Sequence, residues 1–328
     1  MESLIFALNA VLPIMLTMLT GYLLKRIGLI KPEFCRTANK LVFRLFLPCL
    51  LFLNIYNIES FSDFKGGFVI YGAAALVGVF LLGFFACRFV TDKGERRGVL
   101  TQGTFRSNYA LIGIPLAASL FGEEGTAAAT LMSAISVPML NVLAVISLSV
   151  YSGGGKKPSV RSILKDIAKN PLLQSIFAGV VCVLVRGILA GQGIEFRLTD
   201  IQPLFALLRN LSSVATPLAL ISLGAQFDFS AVGELKKEII FGTLMRTVAV
   251  PVLGIGCAWL FFRGTFGGEH FASFVALFAT PVAVSSVPMT QEMGGDTVLA
   301  GQLVVWTTAV SAFTVFLCAF ILRSVGIF

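Results

Sequence analysis

Two short stretches in an otherwise apolar chain carry the residue types that could bind a polar solute. The first is Gly103-Thr104-Phe105-Arg106-Ser107-Asn108-Tyr109-Ala110-Leu111-Ile112-Gly113-Ile114-Pro115, and the second is Thr280-Pro281-Val282-Ala283-Val284-Ser285-Ser286-Val287-Pro288. Arg106 offers a guanidinium, Asn108 an amide, and Ser107, Ser285 and Ser286 hydroxyls. Pro115 has no N–H and its ring opposes the carbonyl of Leu111, while Gly113 tolerates backbone angles closed to other residues. Pro288 places a corresponding disturbance in the second stretch. An interrupted helix bares N–H groups at one half-helix start, where an anion is favoured, and C=O groups at the other end. That chemistry is reversible binding of a carboxylate rather than bond making. The competing reading is a pair of plain kinks, since Gly and Pro are frequent in membrane helices.

The elements that must position these residues follow from composition. The chain has 328 residues, 56% hydrophobic and 13% charged, with a mean hydropathy of +0.90. Soluble domains carry about 25% charged residues, so an ordinary soluble domain is excluded. A spanning helix uses roughly 20 apolar residues, which leaves room for about ten crossings and no large extramembrane domain. Long unbroken apolar runs also argue against a β-barrel, whose segments alternate. The runs predict spans near Leu4–Leu24, Leu41–Ile55, Phe68–Val90, Val99–Phe121 and Thr126–Tyr151. A second five lie near Pro171–Leu189, Ile201–Ala225, Ile239–Phe262, Phe271–Met289 and Val298–Leu322. The N-terminal run, with Glu2 and no basic lead, reads as a first span rather than a signal peptide.

The net charge of +8 lies in the loops, which gives nucleic acid no basic stripe to bind. Sixteen Lys and Arg fall in the odd-numbered loops and four on the opposite side, so the odd loops are expected in the cytoplasm and both termini outside. The expected location is the plasma (inner) membrane. Residues 152–170 read as a cytoplasmic linker, Gly153-Gly154-Gly155 first and then a short interfacial helix, without P-loop spacing. The linker would separate two five-helix repeats, 1–151 and 171–328. Pro13 and Gly21 share their spacing with Pro171 and Gly179, Pro48 pairs with Pro217, and Gly122-Glu123, seven and eight residues after Pro115, pair with Gly295-Asp296 at the same offsets from Pro288. Because each half has five spans, the second enters the membrane inverted, an organisation typical of secondary transporters with a midplane site.

Asn108-x-x-x-x-Gly113-x-Pro115, Thr20-Gly21-Tyr22 with Lys25-Arg26-x-Gly28, Leu47-Pro48, and Pro217-Leu218-Ala219-Leu220 with Gly224 give the chain a family likeness. It resembles, over essentially its whole length, the auxin efflux carrier family of permeases, in their compact bacterial form. The resemblance implies an all-α integral membrane protein with ten transmembrane helices. It further implies a fold similar to bile-acid/sodium symporters, helices four and nine broken and crossing, and an elevator-like movement. It implies small organic acids such as malate or malonate as substrates. It carries a substrate-binding role onto Asn108, Gly113 and Pro115, with Ser285, Ser286 and Pro288 matching the second crossing helix.

Arg106 is a candidate anion ligand, although a regular helix would turn it away from Asn108; Arg44, Arg186, Arg209 and Arg246 are expected to snorkel or lie near span ends. All 17 Asp and Glu fall in loops or at span ends, with Asp228, Glu123, Glu292 and Asp296 near the crossing elements. No cofactor is expected. The coupling ion stays open between proton and sodium, the latter on carbonyls and hydroxyls such as Ser107, Ser285 or Ser286. A uniporter driven by membrane potential and an anion channel are alternatives. A membrane-embedded enzyme is disfavoured by the lone histidine, His270, sitting in a loop. Six scattered cysteines suggest neither metal nor disulfide roles. The expected partners are the lipid bilayer and the anion, with a homodimer left open.

Overall fold

The structure, a computed structural model, describes residues 2–57, 66–151 and 160–328. Among these residues the regular structure is all helical, and seven helices are long and apolar enough to cross a membrane: Pro32–Tyr56, Gly67–Phe89, Tyr109–Tyr151, Pro171–Gly191, Gln202–Gln226, Lys236–Phe262 and Thr297–Ser324.

The helices of the first half are α1 (Glu2–Arg26), α2 (Pro32–Leu41), α3 (Leu47–Tyr56), α4 (Gly67–Ala86), α5 (Gly94–Phe105) and α6 (Ile114–Tyr151). Next come α7 (Val160–Lys169), α8 (Pro171–Gly191), α9 (Gln202–Gln226), α10 (Ala231–Glu234), α11 (Lys236–Leu244) and α12 (Val250–Phe262). The chain closes with α13 (Gly268–Phe278), α14 (Ser286–Glu292) and α15 (Thr297–Ser324). The second expected span starts earlier than its apolar run, because Pro32 sets the first helical turn and α2 is a polar extension of the same helix. Asn170 caps α8 by accepting from the Leu172 N–H at 2.9 Å, and Asp296 caps α15 through the Leu299 N–H at 2.9 Å. The expected glycine-rich linker at 153–155 lies outside the described residues, whereas the short helix after it is α7, with Leu164 exposed and Ile167 resting on the core.

Three π-helical turns, Val42–Phe46, Tyr109–Gly113 and Met245–Ala249, stand immediately ahead of helices that carry a proline at their second residue: Pro48, Pro115 and Pro251. A proline cannot donate to the carbonyl four residues back, so the preceding turn widens instead of breaking. Pro115 therefore does not interrupt the fourth span as its sequence suggests; it is an exposed residue in the first turn of α6. Tyr109–Tyr151 spans 43 residues, which as one rod would run about 65 Å, twice the roughly 30 Å of a bilayer core. It is folded at Phe121 and Gly122, where Gly122 takes φ 59 and ψ −141. A Cβ placed on Gly125 would come within 2.4 Å of the Ala117 carbonyl oxygen, so the chain doubles back at this point.

The helices sort into two packed groups. In one, α1, α2, α3, α8 and α9 lie on each other; in the other, α4, α5 and α6 pack with α11 through α15, and α1 on α15 joins the two. Each group draws on both halves of the chain.

Candidate functional site

The two interrupted segments face each other inside the second group. α5 ends at Phe105, Arg106 is extended at φ −77 and ψ 92, and helix resumes at Tyr109. α13 ends at Phe278 and α14 begins at Ser286. Between them the Asn108 N–H donates to the Pro281 carbonyl at 2.9 Å and the Ala283 N–H to the Arg106 carbonyl at 3.1 Å, an antiparallel pairing of Ser107 with Val282. The Val282 N–H donates to Thr307 Oγ1 of α15 at 3.1 Å. These five backbone groups of the two breaks are thus satisfied within the protein, as a bilayer requires.

The C-terminal ends of the two half-helices converge on Arg246, which the π turn ahead of Pro251 carries into the centre of the bundle. Its side chain is wholly buried. Nε donates to the Thr280 carbonyl at 2.7 Å and Nη2 to that of Leu277 at 2.9 Å; Nη1 donates to the carbonyls of Thr104 and Phe105, each at 3.3 Å. The expectation that Arg246 snorkels or lies at a span end is corrected by this placement. Arg44 is exposed and pairs with Glu292 at 3.1 Å, Arg209 is exposed, and Arg186 lies over the Tyr56 ring and donates to the Tyr56 carbonyl at 3.1 Å.

Arg106 lies at the opposite side of the crossing, 2% exposed. It donates to Gln102 Oε1, Asn141 Oδ1 at 3.0 Å and Ser285 Oγ at 3.1 Å, and also contacts Met289 Sδ. Every one of these partners is neutral, and among the described residues no carboxylate lies within ion-pair distance of it. A cavity of about 160 Å³ opens beside it, lined by Arg106, Ser107, Asn108, Asn141 and Ser285 from the second helix group and by Asn54, Thr216 and leucines of α3 from the first. Tyr109, Ala110 and Leu111 also form its wall, and their N–H groups, in the first turn of a helix, have no acceptor one turn back. A second cavity of about 180 Å³, with Asn57, Thr130 and Ser133 in its walls, shares Asn54, Ala110 and Val137 with the first. A larger hollow, about 410 Å³ between α12 and α15, is walled almost entirely by apolar side chains and has the character of a lipid-facing groove.

Of the residues expected at the site, Arg106, Ser107, Asn108 and Ser285 come together on the cavity wall. The extended backbone at Arg106 removes the helical alternation that would have turned it away from Asn108. The Ser107 hydroxyl is buried without a partner, and so is that of Ser286, which lies behind the wall. Gly113 is helical and permits the close approach of α13, since a Cβ there would sit 3.0 Å from the Ala276 carbonyl oxygen. Pro115 and Pro288 lie outside the cavity lining. Sequence reasoning missed Asn54, Asn141, Gln102 and Thr216; the usable signal was a neutral amide or hydroxyl inside an apolar run, such as Asn141 close after Pro138.

Two of the acids near the crossing elements, Asp296 and Glu292, are paired with arginines. Arg96 at the start of α5 binds Asp296, Glu238 and Glu234 at 3.0, 3.0 and 2.9 Å, tying α5 to α10, α11 and α15. Asn39 donates to Gln291 at 2.8 Å beside the Arg44 and Glu292 pair, linking α2 and the turn after it to α14.

A family model described as "Membrane transport protein" matches residues 6–319. An uncharacterized transporter of Methanocaldococcus jannaschii is 32% identical, covering 74% of this chain and 76% of its own length. An uncharacterized transporter of Methanothermobacter thermautotrophicus is 24% identical over 92% of this chain and 94% of its own, and the uncharacterized transporter YfdV of Escherichia coli is 25% identical over 86% and 87%. With a match over nearly its full length, this multi-pass membrane chain belongs to the membrane transport protein family, the auxin efflux carrier family that its motifs resemble.

Proposed function

We propose that the chain is a secondary carrier of a small organic anion, a carboxylate, working by elevator-like alternating access. The observation that carries this is Arg106, a buried guanidinium with only neutral hydrogen-bond partners, on the wall of a cavity shared with the first turn of the helix at Tyr109. A buried charge is costly unless opposite charge or converging dipoles offset it; the side-chain partners of Arg106 supply no charge, and a carboxylate would meet both the guanidinium and the helix dipole. Asn108, Ser107 and Ser285 would complete the polar shell, while Gly113, Pro115, Ser286 and Pro288 shape the two interrupted segments.

Ten crossings fit this reading when α1, α2 with α3, α4, α5 with 109–120, 123–151, α8, α9, α11 with α12, α13 with α14, and α15 each count once. They divide into inverted five-helix repeats, 1–151 and 171–328, joined by 152–170. The cavity and the α2–α14 contact both lie where the two helix groups meet, which supports movement of one group against the other. With the basic loops in the cytoplasm, both termini face outward across the plasma membrane.

The test is a melting screen of the purified chain with mono- and dicarboxylates at millimolar concentration. A ligand at a hundredfold its Kd stabilises by about 2.7 kcal/mol. At least one carboxylate is expected to raise Tm saturably in the wild type, and to lose that effect in Arg106→Gln and Asn108→Ala. A panel without any effect, or one whose effect survives both substitutions, overturns the proposal.

A further inference from the structure

A helix leaves its last carbonyls without intrahelical donors, and two helices ending at one point concentrate negative dipole ends there. At this crossing the accounting is nearly complete. The Gln102 carbonyl of α5 takes the Arg106 N–H, and the Val275 and Ala276 carbonyls of α13 take the Ala279 N–H and the Thr280 hydroxyl. Of the five last-turn carbonyls that remain, those of Thr104, Phe105 and Leu277, together with that of Thr280 between the half-helices, receive Arg246. Among the described residues no carboxylate shares the guanidinium, so its charge is balanced by carbonyl dipoles alone. Converging carbonyls at half-helix C-terminal ends are the ligand set that membrane carriers commonly offer to a coupling cation.

We propose that Arg246 is a resident cation, a side chain holding the place at the crossing that a hard monovalent cation such as sodium would otherwise take. It neutralises the two C-terminal ends permanently and fixes the half-helices that present Arg106, Asn108 and Ser285 to the cavity. It acts as a positioning residue and does not touch the transported solute. The crossing then needs no inorganic cation to hold its shape. The position follows from packing alone; only its consequence for coupling, that sodium is not drawn on here, rests on the carrier reading.

The experiment uses the purified full chain and no transported solute. Melting is followed in sodium chloride and in choline chloride at equal concentration for wild type, R246K, R246Q and R246A, with guanidinium chloride at low millimolar concentration as a third condition. The wild type is expected to melt at one temperature in all three. R246Q and R246A are expected to fall by about 5 °C or more, and R246A to recover at least half of that loss, saturably, with sodium or guanidinium but not choline. R246K is expected to keep most of the wild-type Tm and to ignore sodium. Four results overturn the proposal: a sodium-dependent rise in the wild type, a sodium-dependent rise in R246K, Lys and Gln variants that behave alike whether folded or not, and an R246A protein that answers to neither cation. If R246A yields no folded protein, the contrast of Lys with Gln decides by itself. Failure here leaves the anion site standing, and failure of the carboxylate screen leaves Arg246 untouched.

Discussion

Gly224 of α9 and Gly21 of α1 let these two helices meet backbone to backbone, and replacing Gly224 by Ala tests how rigid the first helix group is. A Cβ on Gly224 would lie 1.8 Å from the Met18 carbonyl oxygen, and one on Gly21 would lie 2.1 Å from the Ile221 carbonyl oxygen. Ordinary contact begins at 3.4 Å, so in G224A the two backbones must part by 1.6 Å. Both obstacles are backbone atoms and cannot rotate aside. In a membrane no hydrophobic drive holds helices together, so the contact depends on close packing, which this separation removes along its length. Overpacking typically costs about 1–3 kcal/mol, and with about 2–4 °C per kcal/mol for a chain of this order of size, G224A should melt roughly 2–12 °C below wild type. G78A is the matched control: Gly78 lies inside α4 with nothing within 4 Å of its added Cβ. There Ala should be neutral or raise Tm, by helix propensity alone. Because G21A opens the same interface, the double variant should lose less than the sum of the two single losses. A G224A protein that melts with G78A, or strict additivity of the pair, would refute the reasoning.

Two further outcomes follow from buried polar partners. Arg96→Met strands Glu238, which is 8% exposed, together with Asp296, and should lower Tm by several degrees. Arg97→Ala gives up a pair whose acid, Asp92, is fully exposed, and should change Tm little; equal losses would argue against the burial account. Thr307→Val keeps shape but leaves the Val282 N–H unpaired at the crossing, with an expected loss of about 1–3 kcal/mol that Thr307→Ser restores. A melting curve for Thr307→Val that overlays the wild type would place that N–H elsewhere.

Much of the fold was legible because transfer free energy is local. Apolar runs of spanning length marked each of the seven long helices, and Pro171 marked a helix start in the way its chemistry dictates. The place of the fourth-span interruption was misread. Pro115 looks like a helix breaker in sequence, yet the chain absorbs it in a π turn and breaks at 106–108, where Arg106 and Asn108 carry backbone bonds to the opposite segment. Nothing local signals that exchange, because its other half lies far along the chain at Pro281 and Ala283.

By itself the sequence determined that this protein resides in a membrane, that its regular structure is helical, and that its polar interruptions fall in two separated stretches, since each of these depends on residue type and nearest neighbours. Only the tertiary structure decided what the arginines do. Arg106 and Arg246 are equal in charge and similar in setting along the chain, yet one faces a cavity and the other seals two helix ends. A guanidinium binds whatever donor-poor oxygen the fold brings to it, and those oxygens come from helices that meet only when the bundle closes.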